Sequence, residues 1–320
     1  MKLASFVQLD GTPRLGAIVE NNGGVRVCDL ATASYGYRAI QAQGGFVLPA
    51  DMVEFLETGE SGLELARKVL AWAAETGASI APLQAVRLVA PVPRPPKLLA
   101  LAGNYQEHIV EGGGTAVDKS KVVPMLFMKP STTLAGQGQP LVLPGCVSQK
   151  VDWELEVAVV IGRRAKYVPA ETALEYVAGY TIFNDISSRS LEITTTRTQT
   201  RPRDLFFDWL NGKWQDGFGL MGPYLVTRDE IPDPQKLRLR LSVNNETRQD
   251  GSSAQMIFTI AETIAWASNL FTLEPGDVIA TGTPAGVGSA SKTFLKTGDI
   301  LRADIEGLGT LINPVVNEEG

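Results

Sequence analysis

Short apolar-rich runs separated by turn signals open the chain and predict strands over Lys2–Leu9, Arg14–Glu20 and Gly24–Leu30, with turns at Asp10-Gly11-Thr12-Pro13 and Asn21-Asn22-Gly23-Gly24. The period then changes. Leu63, Ala66, Leu70 and Ala73 recur at spacings of three and four, so Ser61 to about Glu75 is the clearer of two helices expected here, ended by Gly77. In Pro91-Val92-Pro93-Arg94-Pro95-Pro96, four prolines in six residues favour an extended linker over either regular element. That linker divides a smaller N-terminal α+β part, 1–93, from a larger part, 97–320. The larger part is dominated by strand-like runs: Lys97–Gly103, Pro124–Met128, Trp153–Gly162, Val177–Phe183, Gly222–Thr227, Leu237–Asn244, Asp277–Gly282 and Asp299–Glu306. Helices are expected only near Pro169–Glu175 and over Thr259–Leu273, which makes the chain α+β and β-rich.

Composition narrows the class of protein. With 320 residues, 44% of them hydrophobic and 20% charged, the chain is long enough and apolar enough to fold around a real core. Thirty-five acidic against 29 basic residues leave a net charge of −6, which argues against a nucleic-acid partner or an anionic membrane surface. Cys28 and Cys146 have no metal-site spacing and are expected to be small buried apolar side chains. There is no signal-like apolar segment at the start and no uninterrupted apolar run near 18 residues, so a soluble, cytoplasmic, unprocessed chain is expected. The N-terminal part concentrates no polar functional side chains and is expected to be structural or to make subunit contacts.

Three stretches carry candidate chemistry. In Trp153-Glu154-Leu155-Glu156-Val157-Ala158-Val159-Val160-Ile161, a strand period of two puts Glu154 and Glu156 on one face, about 6–7 Å apart. Two such acids either lie at a wetted sheet edge, pair with arginines, or hold a hard divalent cation such as Mg²⁺ or Mn²⁺. Asp185, at the polar tip of the next apolar strand, is the candidate third ligand, and an all-oxygen set disfavours zinc. His108 is the chain's one histidine, and Glu111 stands three residues on, within reach on a helical turn. The pair reads either as an ordinary surface or core histidine or as a general base oriented by a carboxylate. Gly112-Gly113-Gly114 follows as a segment able to move over a site. Finally, Thr281-Gly282-Thr283-Pro284-Ala285-Gly286 follows a strand but has neither a P-loop lysine nor a following dinucleotide helix. It is a tight turn needing positive φ, or a set of amides and the Thr283 hydroxyl presented to an oxyanion.

Taken in order, GNYQEHIVE (103–111), LFMKPST (126–132), VDWELEVAVVIG (151–162), VAGYTIFNDISSR (177–189), NGKWQDGF (211–218), MGPYLV (221–226), LEPGDVIATGTPAGVG (273–288) and FLKTGD (294–299) resemble the fumarylacetoacetate hydrolase superfamily over essentially all of Lys97–Val315. The resemblance implies a mixed β-roll catalytic domain, homodimers and a bound Mg²⁺ or Mn²⁺. Carried over by position, Glu154, Glu156 and Asp185 are the metal ligands, His108 and Glu111 the water-activating dyad, and Lys129 and Lys213 the lysines beside metal and substrate. Tyr105, Arg189, Glu192, Gly282 and Thr283 complete the expected site as substrate-binding residues.

The chain departs from the family after Ser188-Arg189, where Ser190, Leu191 and Glu192 replace the usual Asp, any residue, Gln. A glutamate there would repel a substrate carboxylate unless it meets a cation, which speaks against dicarboxylate substrates. Arg197, Arg201 and Arg203 follow, and either restore an anion preference or decorate a loop. The expected reaction is hydrolytic cleavage of a carbon–carbon bond in a small 2,4-dioxo acid through a metal-stabilised enolate, with His108 activating water. Decarboxylation of a β-keto acid such as oxaloacetate, and isomerisation or hydration of a dienoic diacid of aromatic catabolism, are the alternatives. A catalytically inert binding module is the reading of another class.

Overall fold

The computed structural model describes all residues except 9–10, 22–23, 42–44 and 319–320, so the turns expected around Asp10 and Asn22-Gly23 lie outside the described residues. The expected β-rich α+β character holds. One large sheet runs, edge to edge, through Ile80–Pro82, Gly24–Asp29, Pro13–Asn21, Lys2–Val7, Gly219–Thr227, Val177–Asp185, Leu155–Ile161, Val278–Ala280, Leu98–Ala102 and Met125–Met128. A second sheet orders Glu246–Ser252, Arg238–Val243, Ile300–Ile305, Gly309–Asn317 and Leu141–Leu143. Most pairs are antiparallel, and Val278–Ala280 beside Leu98–Ala102 is parallel, which makes the architecture mixed. The N-terminal strands extend the large sheet, because Lys2 and Leu3 pair with Val226 and Leu225.

The pleat of Leu155–Ile161 decides where the cores lie. Leu155, Val157, Val159 and Ile161 face one way, into the core shared with Leu239, Leu241, Leu301 and Leu311 of the second sheet. Ala158 and Val160 face the other way, against Phe55, Leu65, Ala66 and Val69 of the N-terminal helices. Small residues suit that face because the helix Gly59–Thr76 packs over it, capped at its C-terminus by the left-handed Gly77 (φ 74°). The helix Ile260–Leu270 begins at a reciprocal Thr259/Glu262 capping box. The short helix expected near Pro169 is a 3₁₀ turn over Ala170–Tyr176.

Several elements escape the sequence pattern. The helix Asp204–Asn211 was not expected, because its apolar residues Leu205, Phe206 and Phe207 are consecutive and exposed. The strands Glu246–Ser252 and Gly309–Asn317 were also missed. Cys28 is buried as expected, but Cys146 is exposed, a correction that follows from its place in the loop before Val151. The Pro-rich connection has no regular structure, yet Pro91, Val92 and Pro95 are buried and the Pro91 carbonyl accepts from Ser5 Oγ at 2.7 Å. No helix among the described residues is long and apolar enough to cross a membrane.

Candidate active site

The antiparallel register of two central strands assembles the acidic cluster. Leu155 pairs with Asn184 and Glu156 with Phe183, and the Asp185 N–H donates to the Glu154 carbonyl at 2.8 Å. The Asn184 side chain accepts from the Glu154 N–H at 2.9 Å, which fixes the point where the strand begins. Glu154, Glu156 and Asp185, all buried, thereby bring one carboxylate oxygen each within 4.8 Å of one another.

Buried bases surround this cluster. Lys213, delivered by the turn after Asp204–Asn211, donates to Glu154 Oε2 (2.8 Å), Asp185 Oδ2 (2.6 Å) and Ser187 Oγ (2.8 Å). Lys129, at the end of Met125–Met128, donates to Asp185 Oδ1 and to the Lys213 carbonyl, each at 2.5 Å. Arg189 spans Asp152 Oδ2 at 2.8 Å and Glu154 Oε1 at 2.6 Å. Four carboxylates, counting Asp152, therefore meet three cations, and one negative charge is left uncompensated.

That imbalance falls on Glu156. Burial raises its carboxyl well above the ordinary range and the charges of Asp185 and Glu154 add to the effect, while Lys213 and the Gly282 N–H at 2.6 Å only partly oppose it. Glu154 goes the opposite way: burial would lift it, but Lys213 and Arg189 outweigh burial and hold it well below the usual value. The lysines differ as well. Burial pulls Lys129 down against the opposing pull of Asp185, whereas for Lys213 burial is outweighed by Asp185 and Glu154 and its pKa rises.

The turn after Val278–Ala280 closes one side. Gly282 has φ +89°, and a Cβ there would stand 2.7 Å from Asn104 Cβ, so both backbone and space demand glycine. This lets its N–H reach Glu156. Thr283 Oγ1 accepts from Gln249 Nε2 at 2.8 Å, and Gln249 also accepts from the Leu155 N–H at 2.9 Å, so the second sheet braces both the turn and the acidic strand.

On the other side, the helix Gln106–Glu111 carries the dyad, with His108 Nδ1 and Glu111 Oε1 2.8 Å apart. Glu111 also accepts from the Gly286 N–H at 2.8 Å, so it is held from two directions. Between dyad and acids lies a cavity of about 240 Å³, with polar walls from His108, Glu154, Arg189, Lys213 and Thr283 and apolar walls from Leu101, Phe127 and Trp209. The Lys213 ammonium lies 5.5 Å from both aromatic ring centres.

Of the expected site residues, His108, Glu154, Arg189, Lys213 and Thr283 line this cavity, and Glu111, Glu156, Asp185, Lys129 and Gly282 stand directly behind it. Tyr105 is buried, its hydroxyl has no partner among the described residues, and burial together with the Glu156 charge raises its pKa. Glu192 is not brought in: it is exposed and accepts from Ser190 Oγ at 3.0 Å. Arg197 and Arg201 are held by Asp208 and Asp204 instead of facing the cavity. The sequence reading missed Asp152, Phe127 and Trp209; only Asp152, two residues before Glu154 on the same strand parity, had a signal that could have found it.

An all-oxygen, buried donor set with one uncompensated negative charge fits a hard divalent cation held by Glu154, Glu156 and Asp185. The partnerless Tyr105 hydroxyl beside Glu156 is a further sign that this cluster is completed by another group.

Comparison with known proteins places this site in a family. The family described as fumarylacetoacetate (FAA) hydrolase C-terminal matches residues 97–316. The chain is 42% identical over 271 residues to the mitochondrial oxaloacetate tautomerase FAHD2A of Bos taurus, covering 84% of this chain and 81% of that one. Among solved structures, a putative HpcE protein from Mycobacterium smegmatis superposes with a TM-score of 0.77 at 32% identity, covering all of both chains. Maleylpyruvate hydrolase from Sphingobium sp. SYK-6, in complex with manganese (II) ion and pyruvate, superposes with a TM-score of 0.71 at 29% identity over all of both chains. The expected cytoplasmic location is corrected by these relatives: the bovine protein and its frog and human counterparts are named as mitochondrial. A family match over well more than half of the chain, closed around a buried acidic triad in the expected fold, shows that this protein belongs to the fumarylacetoacetate hydrolase superfamily of enzymes.

Proposed function

We propose that the protein is a metal-dependent keto–enol tautomerase of a small 2-oxo dicarboxylic acid of the oxaloacetate class. The observation that carries this reading is the cavity, in which the His108–Glu111 pair faces a buried acidic triad across a space fringed by Lys213 and Arg189. The 42% identity to an oxaloacetate tautomerase supports the substrate class. The objection that Glu192 would repel a dicarboxylate loses its ground, because Glu192 is exposed and outside the cavity lining.

A cation on Glu154, Glu156 and Asp185, Mg²⁺ or Mn²⁺, supplies Lewis-acid polarisation of the 2-oxo group when bound. The chain's own residues do the rest. Glu111 accepts the His108 Nδ1–H, which leaves Nε2 free as a base for the carbon next to the keto group. Returning that proton to the oxygen completes a 1,3-shift with no change in mass. Arg189 orients a substrate carboxylate, Lys213, whose three N–H groups are held by Glu154, Asp185 and Ser187, adds its positive charge to the wall, and Phe127 and Trp209 keep water from the exchanging carbon. Carbon–carbon hydrolysis of a 2,4-dioxo acid is the second reading, favoured by the likeness to maleylpyruvate hydrolase and by the same dyad, which would then deprotonate water.

Metal-stripped protein reloaded with Mg²⁺ or Mn²⁺, given oxaloacetate and an acylpyruvate in parallel, separates these. Metal-dependent enol-to-keto conversion of oxaloacetate, with neither carbon dioxide nor fragments released, is expected. Two fragments from the acylpyruvate would establish the hydrolase, and carbon dioxide from oxaloacetate a decarboxylase. We further propose a homodimer, supported by exposed Met128, Leu205, Phe206 and Phe207 around the aromatic wall; sedimentation should read twice the 34.3 kDa chain.

A further inference from the structure

Asp152 is fully buried, and its carboxylate accepts four hydrogen bonds: from the N–H groups of Trp153 (2.8 Å), Gly288 (2.6 Å) and Ser289 (2.8 Å), and from Arg189 Nε (2.8 Å). Two of those donors belong to the segment Gly286–Ser289. The same segment presents its two preceding N–H groups to Glu111, Gly286 at 2.8 Å and Val287 at 3.5 Å. Four consecutive amides are thus divided between the carboxylate behind the acidic cluster and the carboxylate of the dyad. The close approach is built in, since a Cβ on Gly288 would lie 2.6 Å from Asp152 Oδ1.

We propose that Asp152 is a positioning residue that sets the dyad against the acidic cluster. Through Arg189 it is tied to Glu154; through Gly288 and Ser289 it holds the turn that seats Glu111, and thereby the His108 ring. An anion accepting four donors in a buried place is stiff, and each bond to the charged group is stronger than a neutral one. Replacing it by an amide turns one acceptor atom into a donor facing other donors, which loosens the turn without emptying the space. The inference rests on the reading above that Glu111 orients His108 for proton transfer.

The test is Asp152→Asn, alone and in a Glu111→Gln background, with metal at saturation. Expected is a loss in kcat of about 10–100-fold in the otherwise unchanged protein, as for other groups that orient site ligands, and a loss at least about threefold smaller once Glu111 is already altered, as coupled neighbours show. Hydrogen exchange over residues 284–292, measured on metal-free protein without substrate, is expected to speed up in Asp152→Asn. Should Asp152→Asn not fold, Ser289→Pro carries the same test, since it deletes one of the four donors at a first-turn position where proline is tolerated. Equal fold losses in the two backgrounds, or unchanged exchange over the turn, would overturn the proposal. If instead Glu111→Gln alone left turnover intact, the dyad reading would fail, while the exchange measurement would still decide whether Asp152 holds the turn.

Discussion

Arg189 and Arg201 sit near each other in sequence and make contacts of nearly the same length, Arg189 to Asp152 at 2.8 Å and Arg201 to Asp204 at 2.9 Å. Their surroundings differ completely. The Arg189 side chain is 17% exposed and its second nitrogen holds Glu154, whereas the Arg201 side chain is 80% exposed and its partner belongs to the same local turn. Distance alone therefore says little about what an ion pair does. In the buried cluster each charge is fixed by several others, so removing one strands the rest; at Arg201 the guanidinium is largely in water, which replaces it when it is removed.

The sharpest way to break that contrast is Asp185→Ala. It strips Lys129 and Lys213 of a shared carboxylate where all three side chains are buried. Stability should fall by about 3–5 kcal/mol, read from the urea midpoint at unchanged slope. A loss no larger than that of a loop variant would mean the cluster is hydrated and the two regions are alike. His108→Ala acts on rate instead of stability. The ring is 20% exposed and, among the described residues, bonded to Glu111 alone, so the unfolding midpoint should hardly move, while kcat drops by about 10²–10⁴-fold if the imidazole carries the proton. Full turnover in that variant would remove the dyad from the reaction.

Glu156 offers a smaller effect whose sign is informative. Its folded carboxyl is raised by burial and by its acidic neighbours, so below the ordinary glutamate value near 4.3 it costs nothing, and the destabilisation grows as pH rises above that toward the raised folded value. Metal-free protein should accordingly be destabilised at neutral pH by this one group. Glu156→Gln should raise the metal-free melting temperature at neutral pH by a few degrees, of the order expected for about 1 kcal/mol, and should abolish the upward shift expected when Mn²⁺ is added to the unaltered protein. A variant that melts lower, or still gains stability from Mn²⁺, would mean that Glu156 is not the uncompensated charge.

Why some of this was legible and some was not follows from how far apart the determining residues are. The faces of Leu155–Ile161 and the shared side of Glu154 and Glu156 follow from a period of two within one strand, and Asp185 follows because an apolar strand that ends in a polar tip has few reasons to do so. The His108–Glu111 pair is local as well. Asp152 shares the parity of Glu154 and Glu156, but its role stayed hidden because its partners Gly288 and Ser289 lie more than a hundred residues away and donate through backbone, which leaves no mark on side-chain identity. Trp209 was silent because its helix is only eight residues long and buries little, so its apolar face gives no core signal. Glu192 misled for the converse reason: its alignment with a family position suggested a place in the cavity, while the chain carries the 3₁₀ turn Glu192–Thr194 outward.

The least effect belongs to Arg201→Ala, and it is the one that fixes the scale for the others. If the loop arginines serve as an anion relay, removing Arg201 should raise KM for a dicarboxylate while leaving a monocarboxylate unaffected, and the difference should shrink in salt. The geometry argues otherwise. Asp204 accepts the Arg201 N–H at 2.7 Å as well as the guanidinium, and Arg197 stands 3.7 Å from the same carboxylate, so the aspartate stays partnered when the Arg201 side chain is gone. The helix it opens, and with it Trp209, should keep its place against the cavity. Turnover and KM should both change by less than about twofold at any ionic strength. A selective, salt-sensitive rise in KM would instead make this loop part of the substrate site and give Arg201 the standing that its distance to Asp204 alone does not.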